Sequence, residues 1–440
     1  MKNSKRLFSL DLLRGLDMFL LTVVGPVFWA CNRIWPCPES VTRQFNHFWG
    51  GFTLWDIIMP LFIFMCGAAI PYALAKRMED GKPGEGFWKH VLGRVILLWF
   101  CGMLVQGNLA TLDLAKISPY NNTLETIAAG YLIAALVMLI PSRLARIAAP
   151  LVLAGAYGVL MHFMGDYSKT GNLAAIAESK ILTAILPTDN MFIKSIANPE
   201  VGVPYHGYTW FLTTLMFGAM TLCGAQCAEI LRCAWEKKAK AAALFLLGGV
   251  LLAIGWGLVF CGVPMIKHIF TVSFTAQAMG WSVLALALLY VLTDILMLRR
   301  GWWLITLFGQ CALTAYMASH FFNSALKAAA KACVQGVPHL AGDTYQPLVE
   351  ALAGAVLLTL VLVIRRRLRL VGKAATEANP AETDDAPKAP SSTAPNVPTH
   401  DNGAVAERFK IVNLQSRIQT PAPEGPSDKP KRAKTCLKIH

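Results

Sequence analysis

"FNHFWGGFTLWDIIMPLFIFMCG", residues 45–67, opens as an aromatic loop and closes as an apolar helix fit to enter a membrane. Asp56 stands just inside the apolar part, with His47 ahead of it in the loop. An ionisable group in a membrane segment is costly, so its presence asks for a partner or a function. Gly50 and Gly51 allow a tight turn into the helix, Thr53 is placed to cap it, and Asp56 falls where the helix dipole favours a carboxylate. A carboxylate there can orient a neighbouring imidazole and stabilise its charge, the supporting role in acid–base dyads. The other reading is a plain first-turn acid, and these residues alone leave both open.

The rest of the chain shares this apolar character. Of its 440 residues 55% are hydrophobic and 15% charged, with a mean hydropathy of +0.48. A soluble domain carries about 25% charged residues. Long apolar runs predict an all-α, polytopic helical membrane bundle of about ten transmembrane helices. They lie near 9–31, 53–75, 89–107, 124–141, 145–165, 208–231, 241–262, 273–295, 302–323 and 347–364. The first does not read as a cleavable signal, because Asp11, Arg14 and Asp17 interrupt it and no small-x-small site follows. Lysines and arginines divide twenty to nine toward the N-terminal side of this topology, which places both termini in the cytoplasm. The net charge of +14 therefore calls for no nucleic acid.

Two parts follow: a membrane domain over 1–370 and a tail over 371–440. The tail, "ATEANPAETDDAPKAPSSTAPNVPTHDNG" and beyond, is too poor in apolar residues to fold. Its basic end, "KPKRAKTCLKIH", suits an anionic leaflet. The eleven cysteines show no CxxC and no metal-ligand spacing, so no metal is expected. Most read as small hydrophobes, while Cys31 and Cys37 are close enough for a local disulfide in an oxidising compartment.

Polar groups collect on the outer side of this topology. His47, His162, His206, His268, His320 and His339 fall there, level with Asp56, Asn121, Asn122, Glu125 and Lys267. These are the parts of general acid–base chemistry. An interfacial position explains His162, His206 and His339 well enough; His320 sits inside a span beside Ser319. On the inner side Asp11, Arg14 and Asp17 are three apart and share a helix face. They form either a buried clamp or a polar wall for an anionic ligand from the cytosol. Lys89, Arg94, Arg143 and Arg146 lie at that depth, and arginine's planar fork suits phosphate. No Walker loop, dinucleotide fingerprint, nucleophile elbow or HExxH is present.

Several stretches, in order, resemble the heparan-alpha-glucosaminide N-acetyltransferase family and its bacterial relatives. "RLFSLDLLRGLDMFLL" is similar to its R-x-x-S-L-D-x-x-R-G opening, and "FNHFWGGFTLWDIIMPLFIFMCGAAIPYAL" to its histidine-containing loop and second span. "NNTLETIAAGYLIAAL", "GYTWFLTTLMFGAMTLCGAQCAEIL" and "PMIKHIFTVSFTAQAMG" follow in the family's order. The resemblance implies a membrane acyltransferase that carries an acetyl group from cytosolic acetyl-CoA to an amino sugar or glycan across the membrane. It implies His47 as the acetyl-transfer residue with Asp56 beside it, and Asp11, Arg14 and Lys267 at matching motif positions. The sequence departs from the pattern at Gly25 and at Gln310-Cys311-Ala312, where the family carries asparagines.

The expectation is thus an acyltransferase of a bacterial inner membrane, with His47 and Asp56 catalytic. Asn121, Asn122, Glu125, Lys267, His268 and His320 would hold the acceptor, and Asp11, Arg14 and Arg94 the acetyl-CoA. The rival is a proton-coupled carrier of a sugar or organic acid; no internal repeat of the kind common in carriers is found. A scaffold acting through its tail is a third reading. Monomer and homodimer stay open.

Overall fold

The computed structural model describes residues 7–74, 77–79, 82–84, 86–169, 171–196, 208–337 and 342–378. His206, His339 and the tail from 379 lie outside these residues. The described chain forms α1 (Phe8–Ile34), α2 (Glu39–Gln44), α3 (Leu54–Leu74), α4 (Phe87–Val105), α5 (Thr123–Met138), α6 (Arg143–Met164), α7 (Leu173–Ile185) and α8 (Met191–Ile196). Then come α9 (Thr214–Arg232), α10 (Lys237–Phe260), α11 (Val272–Ile295), α12 (Trp303–Gln310), α13 (Ala312–His320), α14 (Asn323–Val334) and α15 (Gln346–Ala378). A two-residue β ladder between α3 and α4 pairs Met78 with Pro83 and Glu79 with Lys82.

Among the described residues eight helices, α1, α3, α4, α6, α9, α10, α11 and α15, are long and apolar enough to cross a bilayer. The chain is an integral membrane protein. The two remaining expected spans take other forms. α5 has 16 residues, and the 302–323 stretch breaks at Cys311 into α12 and α13. α15 stays helical to Ala378, beyond the residue 370 expected to end the membrane part.

Burial sorts the spans into a core and a rim. Of the most apolar stretch, 67% is buried in α3 and α9 and 61% in α11, against 17% in α4 and α10 and 11% in α6 and α15. Rim helices leave Ile96, Leu151 and Leu246 exposed, as helices facing lipid do. The core helices approach through small residues. A Cβ on Gly67 would stand 1.8 Å from Thr221 O, and one on Gly224 2.0 Å from Phe64 O, so α3 and α9 touch backbone to backbone. α1 contains a π-helical turn at Leu20–Val24, a feature often found at functional sites.

The bundle has two polar ends. At one, the loop before α3 is tied to the loop before α11 by Gly51 N–H donating to Met265 O at 2.9 Å. Gly51 holds φ at +105°, which a side chain would resist. At the other, Ser9 N–H donates to Asp294 Oδ2 at 3.2 Å and Lys237 Nζ to Asp294 O at 2.9 Å, joining the start of α1, the end of α11 and the start of α10. Cys31 and Cys37 are free thiols, so the expected local disulfide is not formed.

Candidate active site at the His47 end

The first turn of α3 is closed by a capping box between Thr53 and Asp56. Thr53 N–H and Oγ1–H each donate to Asp56 Oδ2 at 2.9 Å. That leaves Oδ1 free for outside partners, and two arrive. His47 Nδ1 lies 2.6 Å from Oδ1 and Lys267 Nζ 3.3 Å from it. A carboxylate only accepts, so Nδ1 carries the proton and donates, which leaves Nε2 as the basic ring nitrogen. Asp56 is 1% exposed, whereas the His47 side chain is 36% exposed. The carboxylate is fixed and the imidazole reachable.

Lys267 comes from a tight turn rather than a helix. Thr271 Oγ1–H donates to Pro264 O and Ile266 N–H to Thr271 Oγ1, folding 264–271 onto itself. Burial pulls the Lys267 ammonium down to about 8 while neighbouring Asp56 holds it up. At neutral pH it stays charged and balances Asp56. Its nitrogen is also 3.3 Å from His47 Nδ1, so the three groups form one cluster.

The cluster opens on a cavity of about 520 Å³. His47, Lys267, Asn121 and His320 line it, with Trp55, Tyr208, Trp210 and Tyr316 as aromatic walls and Phe62 and Leu21 at its floor. Trp210 Nε1–H is buried without a partner among the described residues. Phe62 is four residues from Cys66 on α3, roughly 6 Å along the helix. At that next level Arg14 Nη2 meets Met65 O at 3.5 Å, and Arg94 Nη2 meets Cys66 Sγ at 3.7 Å.

The expected site residues separate into two groups. His47, Asp56 and Lys267 are in contact, and Asn121 and His320 share their cavity. His320 stacks on Tyr316 with ring centroids 4.1 Å apart and donates from Nδ1 to Tyr316 O at 3.1 Å. Asn122, Glu125 and His268 stand behind the wall. Asn122 caps α5, its Oδ1 accepting from Leu124 N–H at 2.7 Å and its Nδ2 donating to Gln106 Oε1. Glu125 Oε2 accepts from Asn121 N–H at 2.6 Å. His268 is sandwiched by Trp49 and Tyr208. Burial, and then the charges of His47 and Lys267, push His268 down to about 4, so it is a neutral spacer.

On the other side, Arg14 Nη1 lies 3.7 Å from Asp11 Oδ1, and the Arg94 guanidinium covers the Tyr131 ring. Asp11, Arg14 and Arg94 do not line the His47 cavity. Neither oxygen of buried Asp17 has a partner among the described residues, so the expected symmetric clamp about Arg14 is not built.

Sequence reasoning passed over Gln106, Tyr316 and Trp210. Tyr316 and His320 are four apart on one helix face, which was legible. Gln106 ends an apolar run with no motif around it, and nothing local marks it.

The site and fold together define a helical integral membrane protein with an Asp–His–Lys cluster, buried at Asp56 and Lys267 and open at His47, on a cavity near one face. Residues 6–136 match a family described as a domain of unknown function (DUF5009). That stretch holds Asp11, Arg14, His47, Asp56, Arg94, Asn121, Asn122 and Glu125, whereas Lys267, His268 and His320 lie beyond it. No curated protein matches the chain significantly.

Proposed function

We propose that this protein is a membrane acyltransferase that moves an acetyl group from cytosolic acetyl-CoA to an amino sugar or glycan acceptor at the His47 end. One observation carries the reading: a reachable imidazole, oriented by a buried carboxylate at 2.6 Å, on the wall of a cavity large enough for a small substrate. His47 Nε2 takes the proton of the acceptor amine or hydroxyl as that atom attacks the thioester carbonyl. The carbon–sulfur bond breaks, and the proton leaves with the thiol. Asp56 stabilises the imidazolium, and the Lys267 ammonium offsets negative charge developing on the carbonyl oxygen.

In this reading about ten segments cross a bacterial inner membrane, with both termini cytoplasmic. The donor approaches from the Arg14 and Arg94 side, and Leu21 and Phe62 part to admit the acetyl group. The π turn that carries Leu21 supports a local opening there. Asp17 favours the rival carrier reading, since a buried carboxyl without a partner among the described residues, between the cavity floor and Arg14 along α1, is a natural proton stop.

Full-length protein in proteoliposomes, given labelled acetyl-CoA on one side and glucosamine on the other, decides between them. Label transferred only when the donor is on the Arg14 side supports the enzyme. Proton-coupled sugar uptake without any CoA-dependent transfer replaces it with the carrier.

A further inference from the structure

One face of α15 carries Val361, Ile364, Arg365, Leu368 and Arg369, spaced three and four apart so that they form a single stripe. All five are exposed. With Thr314 on α13 they line a groove of about 520 Å³. It lies where the opposing helix is interrupted. α12 ends and α13 begins at Cys311, whose Sγ is 4.0 Å from Leu362 O. Beside the break, Gln310 O accepts from Arg369 Nη1 at 3.2 Å. Thr22, Thr221 and Thr359 each donate to the carbonyl four residues back. For Thr314 that carbonyl is Gln310 O, and the Thr314 hydroxyl makes no hydrogen bond with any described residue.

α15 starts at the His47 end, where Tyr345 packs on Trp35 with ring centroids 5.9 Å apart, so the groove belongs to the opposite, Asp294 end. Trp303 at the start of α12 is exposed there, and an exposed tryptophan marks the headgroup level of a bilayer. α12 is 8 residues long, which puts the break roughly 12 Å deeper. Leu362 is level with the break, and the Arg369 backbone lies roughly 10 Å back toward the headgroups. Basic side chains at helix ends ordinarily reach outward to the interface. Arg369 turns the other way, to Gln310 O beside the break. Arg365 stands a turn deeper on the same stripe and makes no ion pair with any described residue. No acid lines the groove. Two guanidinium groups held below headgroup level beside exposed Ile364 and Val361 call for an anionic head that brings its own apolar chain.

We propose that this groove is a binding site for one acidic glycerophospholipid of the leaflet at the Asp294 end. Its phosphate lies between Arg365 and Arg369, with the Thr314 hydroxyl as a further donor to the head. One acyl chain passes Ile364 and Val361 toward the bilayer centre. A net negative head is required because nothing in the groove balances the two arginines; a zwitterionic head would set a second cation beside them. Arg366 and Arg367 belong to the same basic run but lie off the stripe, so they share its charge without sharing the site. The assignment does not depend on acyl transfer.

Native mass spectrometry of the full chain, released from nanodiscs of mixed phosphatidylglycerol and phosphatidylcholine, tests this. The expected result is one phosphatidylglycerol retained in preference to phosphatidylcholine. Arg365→Gln leaves the Arg369–Gln310 contact in place, so the break keeps its support, and it lowers retention about fivefold by removing one charge-assisted contact. Adding Arg369→Gln lowers it about tenfold or more. Arg366→Gln with Arg367→Gln removes the same charge from the same run and leaves retention near wild type. Equal losses from the two pairs would reduce the site to the general attraction of a basic helix end for an anionic leaflet, and overturn it. Unchanged retention in Arg365→Gln, or equal retention of the two lipids, overturns it as well. Inorganic phosphate and free CoA should each leave the lipid in place. Displacement by phosphate would make the groove a bare anion site, and displacement by CoA would give the arginines to a soluble nucleotide; either outcome removes the lipid.

Discussion

Asp56 and Asp294 are nearly buried carboxylates at opposite ends of the bundle, 1% and 6% exposed, and each is matched by a cation. Their surroundings differ. Arg299 gives Asp294 Oδ1 a 2.9 Å hydrogen bond, spends its Nε on Thr293 O and lies over the Phe8 ring. Ser9 N–H takes the other oxygen, and Asp294 does not line the His47 cavity. That cluster closes on itself and fastens three helix ends. At Asp56 one oxygen is likewise spent on the helix cap, but the other holds an imidazole with a third of its surface open. A buried carboxylate becomes part of a candidate site when its partner is an imidazole that is reachable and set on a cavity.

The widest separation between the two ends comes from His47→Gln and Asp294→Asn. Under the proposed acyltransferase function, replacing His47 is expected to lower acetyl transfer by about 10²–10⁴-fold and to leave thermal unfolding in detergent nearly unchanged. Asp294→Asn does the reverse. It removes the charge partner of the half-exposed Arg299 and lowers stability by about 1–2 kcal/mol, while activity per folded molecule is kept.

Asp56→Asn joins the two behaviours. It abolishes transfer and also strands the buried Lys267 ammonium, costing about 3 kcal/mol. Adding Lys267→Met restores part of that stability but no activity, a coupling that a double-mutant cycle in urea unfolding reads out.

Glu178 on α7 is a third buried carboxylate, with Oε2 accepting from Trp210 and Phe211 N–H at 3.0 Å each. Burial pushes it up from 4.5 to about 7. The folded protein then holds a proton that the unfolded chain gives up between these values. Its contribution is complete below pH 4.5 and is lost as pH rises through 7, by up to roughly 3 kcal/mol at about 1.4 kcal/mol per tenfold in proton affinity. Glu178→Gln should flatten the dependence of melting temperature on pH in this window. The smallest effect belongs to Asn122→Ala, which removes the α5 cap for about 1 kcal/mol and releases Gln106 toward the cavity. A modest fall in melting temperature with a raised acceptor KM is the expected result.

The membrane class and the His47–Asp56 pairing were legible because both are local: apolar runs of a set length, and a loop histidine before a capped helix. Lys267 was placed beside them by motif order. Spacing alone could not have joined residues 220 apart. Asn122 and Glu125 misled in an instructive way. Amide and acid at a helix start look like ligand groups, but unsatisfied N–H groups at the N-terminus compete for the same side chains, and here the cap wins. The break at Cys311 left no periodic trace.

The five-residue turn at Leu20–Val24 is an extra residue absorbed into α1 without a visible kink in composition. Consecutive positions on a helix point about 100° apart. Deleting one residue there and restoring ordinary winding would swing Trp29 and Arg33 around the axis while leaving Asp11 and Arg14 where they are. The bundle's first helix thus works as two differently aimed halves on one shaft, tuned by chain length more than by side-chain identity.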